Sequence, residues 1–260
     1  MKNNKNTKKI TVIIPCYNES AGIARVITSF HKKIINDHRY ELEIMVVDNN
    51  SSDNTASIAK SFGATVLYEK NQGKGNAIRL GFNSISDDTD FIVMLDGDDT
   101  YRPEEVLRLI EPLNLGLCDA VIGSRLDGHI VDGSMTTLNR FGNLFFSYIV
   151  RMFYGVKVTD VLTGYFAWKR EALVKLSPHL TSDGFAIEME MVTKMAKLGE
   201  KIYSVPISYH ARAGETNLHP FYDGLRILLM FARNLFWYPY RHSVDTIFPT
   251  FISDQQTIEN

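Results

Sequence analysis

The sequence predicts an α/β fold in which a mostly parallel sheet is flanked by helices. In the first half of the 260-residue chain, short apolar runs typical of buried strands alternate with longer segments whose apolar residues recur at helical spacing. Such alternation is typical of right-handed βαβ units, which build parallel sheets. Nearly every polar cluster in this half directly follows a strand-like run. Because ligands of parallel sheets bind beyond the carboxyl ends of the strands, this placement predicts a functional site at one edge of the sheet.

The first half accounts for five strands and four helices. The strands are expected at residues 10–15, 44–47, 65–67, 91–95 and 120–122. The helices are expected over residues 23–34, 54–62 and 76–84, and from Pro103 onward. Proline suits the first turn of a helix, where a backbone N–H would be unpaired, and the two glutamates after it complement the helix dipole.

The second half is less regular. Helices are expected over residues 139–154 and 186–198, followed by a strand over 202–209 and a long amphipathic helix over 220–238. No internal repeat, low-complexity tract or Gly/Ser-rich linker separates the two halves. We therefore expect one folded domain with a specialised C-terminal portion.

The composition excludes several classes of protein. The chain has 28 Lys and Arg against 30 Asp and Glu, a formal net charge of −2, which argues against a nucleic-acid partner because such binding requires a basic surface. No apolar run approaches the ~18–20 residues that span a bilayer, and we find no signal-peptide pattern. Cys16 and Cys118 resemble neither a metal site nor a disulfide framework, so the simplest expectation is a reducing, cytoplasmic setting.

An acidic turn is the leading candidate for a metal site. Asp96-Gly97-Asp98 follows the buried strand expected at 91–95. The glycine allows a sharp turn, so both carboxylates are able to approach one hard cation, Mg²⁺ or Mn²⁺. Such a cation keeps open positions for phosphate oxygens and offsets charge on a departing diphosphate. The alternatives are a solvated acidic turn or an aspartate that caps the helix expected from Pro103, and the position after a buried strand disfavours both.

Other polar residues suit a nucleotide or a phosphate. Asp48 ends an apolar run, where a carboxylate is able to accept hydrogen bonds from a base or a ribose, although a plain turn is the alternative. The segment 71–76 brings two glycines and a lysine into a helix start and is able to cradle phosphate, but it lacks the Walker spacing. Arg125, Arg140 and Arg212 are candidates for bidentate phosphate recognition, with a surface charge as the alternative for each.

Two helical segments have an apolar face beside cationic residues. In the last helix this face comprises Leu225, Leu228, Leu229, Ala232, Leu235 and Phe236, while Arg226 and Arg233 lie on another side. The second segment contains Phe141, Leu144, Phe145, Tyr148, Met152 and Phe153. This combination is typical of helices at a membrane interface. Packing of these helices on the sheet or in a dimer is the alternative.

Eight sequence blocks occur in a characteristic order between residue 11 and about residue 228: TVIIPCYNE, VVDNNSSDNT, EKNQGKGNAIRLGF, MLDGDDTYRPEE, VIGSRL, TDVLTGYFAWKREAL, GFAIEMEM and VPISYHARAGETNL. Together they resemble the inverting GT-A glycosyltransferases of family 2, particularly the polyprenyl-phosphate, dolichol-phosphate mannose synthase-like branch. The resemblance implies a GT-A, Rossmann-like sheet. It also implies transfer of a sugar from a nucleotide-diphosphate sugar, of the GDP-mannose or UDP-glucose type, to a polyprenyl or dolichyl phosphate.

The resemblance implies a role for each matching residue. The nucleotide-binding residues would be Pro15, Tyr17, Glu19, Asp48 and Asp96. Asp96 and Asp98 would bind Mg²⁺ or Mn²⁺, and Glu188 would contact the donor sugar. The acceptor phosphate would be bound by Arg125, Arg140 and Arg212, the last on a mobile loop. The catalytic set would be Asp98, Arg125 and Arg212.

Two positions depart from the family pattern. The mobile loop usually ends Ser/Thr-Lys-Leu, whereas this chain has Thr216-Asn217-Leu218 and lacks that cation. Two residues after Asp98, the mannose synthases often have Gln, and this chain has Thr100. These departures leave the acceptor and the transferred sugar open.

Two other functions are compatible with the sequence. A family 2 enzyme of polysaccharide assembly would use a glycan hydroxyl as acceptor and would need a catalytic base, for which Asp183, Glu188 and Glu190 are candidates. A phosphate acceptor needs only positioning and charge, since it is already ionised. A non-catalytic nucleotide-sugar-binding protein is disfavoured because both aspartates of the acidic turn and Arg212 are intact.

These interpretations divide the chain into a basic tail at residues 1–9, a GT-A domain at 10–218, and an amphipathic helix with a tail at 219–260. The expected partners are a nucleotide-diphosphate sugar, a polyprenyl phosphate lipid and a membrane surface, and a homo-oligomer is compatible with the same helices. The expected location is peripheral, on the cytoplasmic face of the membrane.

Overall fold

The computed structural model describes residues 7–34, 37–214 and 219–239. Most of the basic tail, the loop residues Thr216-Asn217-Leu218 and residues 240–260 lie outside the described residues. The predictions made for those segments therefore stay predictions.

A seven-stranded sheet forms the centre of the molecule. Its strands are β1 (Lys8–Cys16), β2 (Tyr40–Asp48), β3 (Thr65–Tyr68), β4 (Phe91–Met94), β5 (Ala120–Ile130), β6 (Phe166–Lys169) and β7 (Ile202–Tyr209). Their order across the sheet is β3-β2-β1-β4-β6-β5-β7. Only β6 runs antiparallel to its neighbours β4 and β5, so the sheet is mostly parallel, as the sequence predicted.

Eight α-helices among the described residues flank this sheet. They are α1 (Ile23–Ile34), α2 (Thr55–Ser61), α3 (Lys74–Asn83), α4 (Val106–Asn114), α5 (Thr137–Tyr154), α6 (Arg170–Leu176), α7 (Ile187–Leu198) and α8 (Pro220–Leu235). The helix expected from Pro103 begins as a 3-10 turn over Pro103–Glu105 and continues as α4.

The structure confirms the strands and helices expected from periodicity, but neither β6 nor α6 was predicted from the sequence. β6 has four residues, and α6 begins at the next residue, so neither segment is long enough to display its own period. In the sheet, Trp168 of β6 pairs with Ile92 on one side and with Ala120 on the other. This inserted strand separates β4 from β5.

Buried apolar side chains form one cluster on each face of the sheet. Successive residues of a strand point to opposite faces, so Ile13 of β1 lies in one cluster and its neighbours Val12 and Ile14 lie in the other. The first cluster receives side chains from α3, α5, α7 and α8, and the second from α1 and α4. With both faces covered, the carboxyl edge of the sheet is where a ligand site is expected.

The C-terminal helix α8 packs on the first cluster through Ile227 and Phe231. The hydroxyl of Tyr154 in α5 donates to the carbonyl of Phe231 at 3.0 Å, and the amide of Asn234 donates to the hydroxyl of Thr193 in α7 at 2.8 Å. One side of α8 is thus attached to α5, α7 and the buried cluster. Among the described residues, no helix is both long and apolar enough to cross a membrane.

Candidate functional site

Three strand ends at the carboxyl edge of the sheet turn sharply. Asn18, Asn50 and Asp99 follow β1, β2 and β4 and have positive φ angles of 57°, 62° and 65°. Asn and Asp adopt this left-handed conformation more readily than most other residues with a side chain. The polar segments around these turns line one side of a cavity of about 1000 Å³.

Most of the site residues predicted from the sequence meet at this cavity. Those that line it are Pro15, Tyr17, Glu19, Asp96, Asp98, Arg125, Glu188 and Arg212. Asp48 and Arg140 are outside the lining. Asp48 is buried at the end of β2, and its Oδ1 has no hydrogen-bond partner among the described residues. Arg140 is exposed near the start of α5.

Asp98 is oriented by the residue two positions later. Its Oδ1 accepts hydrogen bonds from the hydroxyl of Thr100 at 2.6 Å and from the backbone N–H of Thr100 at 3.1 Å. Burial and the nearby charge of Asp96 raise the pKa of Asp98, while Arg212 and the Thr100 hydrogen bonds oppose the rise. Thr100, which departs from the Gln of the mannose synthases, therefore supports the carboxylate of Asp98.

Arg212 joins two buried carboxylates. Its Nη1 lies 2.8 Å from Asp98 Oδ2, and its Nη2 donates to Glu19 Oε1. The second oxygen of Glu19 is buried without a hydrogen-bond partner among the described residues. Burial raises the pKa of Glu19 to about 8, an effect that the charges of Arg212 and Lys74 oppose and those of Asp98 and Asp96 increase.

Lys74, the first residue of α3, lies at the centre of the site, and its role was not predicted from the sequence. Its Nζ is 2.7 Å from Asp96 Oδ1 and 2.7 Å from Glu188 Oε1. Burial lowers the pKa of Lys74, but the charges of Asp96 and Glu188 outweigh this effect and raise it. One feature of the sequence could have indicated this role. A cation at the start of a helix opposes the helix dipole, so a lysine at this position suggests a purpose other than helix stability.

Arg125 is held rigidly at the cavity wall. Its Nε and Nη2 donate to the two carboxylate oxygens of Asp160 at 2.7 and 2.8 Å, and its backbone N–H donates to Asp160 at 3.0 Å. Its guanidinium also lies 5.3 Å from the ring centroid of Tyr209. Asp160 is fully buried and was not predicted as a site residue. Arg125 thus presents to the cavity a guanidinium whose position is fixed by Asp160.

Of the three carboxylates considered as a catalytic base, only Glu188 lines the cavity. Glu188 is paired with Lys74. Glu190 accepts hydrogen bonds from the backbone of Thr181 and Ser182 and pairs with Lys194 at 2.6 Å. Asp183 is exposed and outside the lining. No carboxylate of this set is both in the cavity and free of a cationic partner.

The acidic turn has the chemistry of a divalent-cation site. Asp96 and Asp98 supply hard oxygen ligands, although no group of three or more His, Cys, Asp or Glu side chains suited to a metal lies within the part of the chain that the structure describes. Two carboxylates suffice for a cation whose other positions are filled by diphosphate oxygens and water. Lys74 and Arg212 at present balance the charge of this pair.

Two helices, α5 and α8, contribute a further part of the cavity lining, in which apolar side chains stand beside Asn139, Asn143 and Asp223. Leu138, Gly142 and Phe146 of α5 line it, together with Phe221 and Ile227 of α8. The site therefore joins a charged region at the sheet edge to an apolar region between α5 and α8.

Comparison with known proteins relates this chain to a family of enzymes. A family model described as Glycosyl transferase family 2 matches residues 11–177. The glycosyltransferase AglJ of Haloferax volcanii is 36% identical over 230 residues, covering 86% of this chain and 71% of that protein. The dolichyl-phosphate hexose transferase of the same organism is 34% identical over 220 residues, covering 84% and 90%. An undecaprenyl-phosphate mannosyltransferase of Micrococcus luteus is 29% identical over 223 residues, covering 81% and 87%.

A solved structure shows the same fold. Glucosyl-3-phosphoglycerate synthase from Mycobacterium tuberculosis, in complex with Mn²⁺, uridine diphosphate and phosphoglyceric acid, matches with a TM-score of 0.69 at 23% identity, covering 90% of this chain and 80% of that chain. This likeness confirms the expected GT-A-like sheet. The family model and the relatives above 30% identity establish that the chain belongs to glycosyl transferase family 2 and is a glycosyltransferase.

Proposed function

We propose that this glycosyltransferase moves a sugar, with inversion, from a nucleotide-diphosphate sugar of the GDP-mannose or UDP-glucose type to a polyprenyl phosphate at a membrane surface. The observation that carries the proposal is the continuity between the cavity and the exposed apolar surfaces of α5 and α8. Relatives named for transfer to dolichyl and undecaprenyl phosphate support the same acceptor class.

The two helices present a large apolar surface beside the cavity. Its exposed residues on α5 are Leu138, Phe141, Leu144, Phe145, Tyr148, Met152 and Phe153. Those on α8 are Phe221, Tyr222, Leu225, Leu228 and Leu229. Exposed arginines accompany both sets, at Arg140, Arg151, Arg226 and Arg233. An apolar surface with cationic and aromatic residues suits insertion into the boundary of an anionic bilayer.

The charged region of the cavity suits a phosphate acceptor. Arg125 offers a fixed guanidinium, and Arg212 offers a second guanidinium from the predicted mobile loop. A phosphate monoester is already ionised, so it requires cations and correct positioning instead of a general base. Because Glu188 is paired with Lys74, the cavity favours this acceptor over a glycan hydroxyl.

The mechanism follows from these positions. Asp96 and Asp98 would hold Mg²⁺ or Mn²⁺, which when bound supplies charge that stabilises the departing diphosphate. Arg125 and Arg212 orient the acceptor phosphate, whose oxygen forms a bond to the anomeric carbon as the bond to the diphosphate breaks on the opposite face. Glu188 faces the transferred sugar, while Pro15, Tyr17 and Glu19 bound the region proposed for the nucleotide.

We infer peripheral attachment to the cytoplasmic face of the membrane. Both Cys16 and Cys118 are unpaired and buried, which supports a reducing compartment. The same apolar surface of α5 and α8 would also suit contact between two copies of the chain. The division of the chain into a domain that ends at residue 218 and a C-terminal helix with its tail stays a prediction.

Radiolabelled donors test this function. The protein is incubated with Mn²⁺, polyprenyl-phosphate vesicles and either GDP-[¹⁴C]mannose or UDP-[¹⁴C]glucose, and the label is partitioned between butanol and water. The proposal predicts label in the organic phase only when the lipid phosphate is present, and loss of this product in Asp98→Asn. Transfer only to water-soluble glycans would show that the acceptor is a carbohydrate hydroxyl.

A further inference from the structure

We propose that Lys74 is a positioning residue that fixes Glu188 against the transferred sugar by tying it to Asp96, and that Lys74 thereby controls affinity for the sugar part of the donor. This inference rests on the proposed use of a nucleotide-diphosphate sugar. The starting observation is geometric: one ammonium lies 2.7 Å from an oxygen of each carboxylate, and all three side chains line the cavity.

The position of Lys74 is set by backbone packing as well as by the ion pairs. A Cβ on Gly73 would collide with the carbonyl oxygen of Asp183, and a Cβ on Gly75 would collide with that of Ser182. The backbone N–H of Asn76 also donates to the carbonyl of Asp183 at 3.3 Å. The start of α3 is therefore pressed against the segment that leads into α7, the helix that carries Glu188.

Asn49 fixes the other side of this segment. Its Oδ1 accepts from the backbone N–H of Gly73 at 2.7 Å, and its Nδ2 donates to the carbonyl of Asn71 at 2.8 Å. Asn49 lies directly after β2, so the loop before Lys74 is attached to the sheet edge. The strand edge and the segment before α7 thus fix the lysine from two directions.

Helix stability does not account for Lys74. A cation at the first position of a helix opposes the dipole, and Gly73 at the N-cap supplies no side-chain hydrogen bond to the free backbone N–H groups. The cation therefore disfavours the start of α3, while glycine is an acceptable but weaker N-cap than Ser, Asp or Asn. Gly73 and Lys74 are explained by the close approach that glycine permits and by the two carboxylates that require a cation.

Lys74 opposes the effect of burial on the carboxyl of Glu188. Burial raises the pKa of Glu188 above its ordinary value, and the charge and hydrogen bond of Lys74 reduce this rise without reversing it. Lys74 therefore favours an ionised Glu188 at a fixed place in the cavity, where a carboxylate is a strong acceptor for sugar hydroxyl groups. Without the lysine, the carboxylates of Asp96 and Glu188 would repel each other, and Glu188 would lose this position.

The test compares donor binding with and without the sugar. Isothermal titration calorimetry in Mn²⁺ measures the affinities of UDP and UDP-glucose, and of GDP and GDP-mannose, for the wild type, Lys74→Met and Lys74→Arg. Lys74→Met is expected to lose roughly tenfold in affinity for the sugar nucleotide that the wild type binds, with less than about a twofold change for its nucleoside diphosphate. Lys74→Arg should recover part of the loss. Lys70→Met, an exposed lysine of the same loop, is the matched control.

A second variant keeps the test decisive if Lys74→Met does not fold. Glu188→Gln should show the same loss confined to the sugar nucleotide, and Lys74→Met/Glu188→Gln should be no weaker than the weaker single variant because both act through one contact. Equal losses for nucleoside diphosphate and sugar nucleotide would mean that Lys74 binds the diphosphate itself, and the inference would be wrong. Failure of the wild type to bind any of the four ligands would instead overturn the proposed function, and this inference with it.

Discussion

Arg212 and Asp98 form an ion pair in which Nη1 and Oδ2 are 2.8 Å apart. The segment that carries Arg212 is attached to the acidic turn by two further hydrogen bonds, from the N–H of Ala213 to the carbonyl of Asp98 and from the N–H of His210 to that of Thr100, both at 2.9 Å. Asp98 is also the predicted metal ligand. Arg212 and a divalent cation therefore compete for one carboxylate, so cation binding favours release of Arg212 toward a phosphate.

Arg212→Ala should bind Mn²⁺ more tightly yet turn over more slowly. Removal of a positive charge beside Asp98 is expected to increase Mn²⁺ affinity roughly tenfold, since like charges a few ångströms apart repel strongly in a partly buried site. Turnover should fall by about a hundredfold because a cation that orients the acceptor is lost. Electron paramagnetic resonance titration of free Mn²⁺ and initial rates check the two effects. Arg39→Ala, at an exposed arginine outside the cavity, is the control.

Asp98→Asn should lower turnover by roughly 10²–10³-fold while the circular dichroism spectrum stays unchanged. The amide preserves the shape of the side chain and its contact with Thr100, so the loss would report the charge. Asp87→Asn, at a fully exposed carboxylate outside the cavity, should retain full activity. Full activity of Asp98→Asn would refute the assignment of Asp98 as a metal ligand.

Much of the fold could be predicted because buried strands and amphipathic helices have different periods. β6 was missed because its four residues run directly into α6, so its place between β4 and β5 depends on long-range pairing that has no local signature. Within the site, residues at strand ends could be identified from the polar clusters that follow apolar runs. Tyr17 and Glu19 follow β1 in this way, and both line the cavity.

Partnerships within the site could not be predicted in the same way. Asp160 lies 35 positions from Arg125, and Glu188 lies more than a hundred positions from Lys74, so only the folded chain brings these charges together. Asp160 lies in a block that resembles the family, but its pairing with an arginine has no sequence pattern. The partners in these buried ion pairs therefore cannot be predicted from local sequence patterns.

Asp160→Ala should destabilise the protein by roughly 3–5 kcal/mol, because it leaves the buried guanidinium of Arg125 without its charged partner. Urea denaturation monitored by fluorescence measures the loss, and Asp87→Ala serves as an exposed carboxylate control with a change within about 0.5 kcal/mol. If the two variants were equally stable, the Arg125–Asp160 pair would contribute nothing to the fold.

Glu19 should make metal-free protein less stable as the pH rises from about 5 to about 8. The pKa of Glu19 is raised by burial to about 8 in the folded chain, against an ordinary value of 4.5. Between these values the folded chain keeps a proton that the unfolded chain has released, so the free energy of unfolding decreases as the pH increases. Denaturation midpoints across this range should fall less steeply in Glu19→Gln. An identical slope in the variant would contradict the raised pKa.

The apolar surface of α5 and α8 should control membrane binding without contributing to the fold. Phe141 and Leu225 are 70% and 57% exposed and lie outside the cavity lining, so Phe141→Asp and Leu225→Asp should leave the melting temperature and nucleoside diphosphate affinity unchanged. Each variant should reduce co-sedimentation with anionic vesicles by roughly tenfold, since burial of an apolar side chain is worth about 1.5–3 kcal/mol and an added carboxylate is repelled by the surface.

Leu115→Asp, at a leucine 63% exposed after α4, should bind vesicles as the wild type does. If all three variants bound vesicles equally, the membrane would not be what covers α5 and α8, and a change in mass by light scattering would identify a second copy of the chain instead.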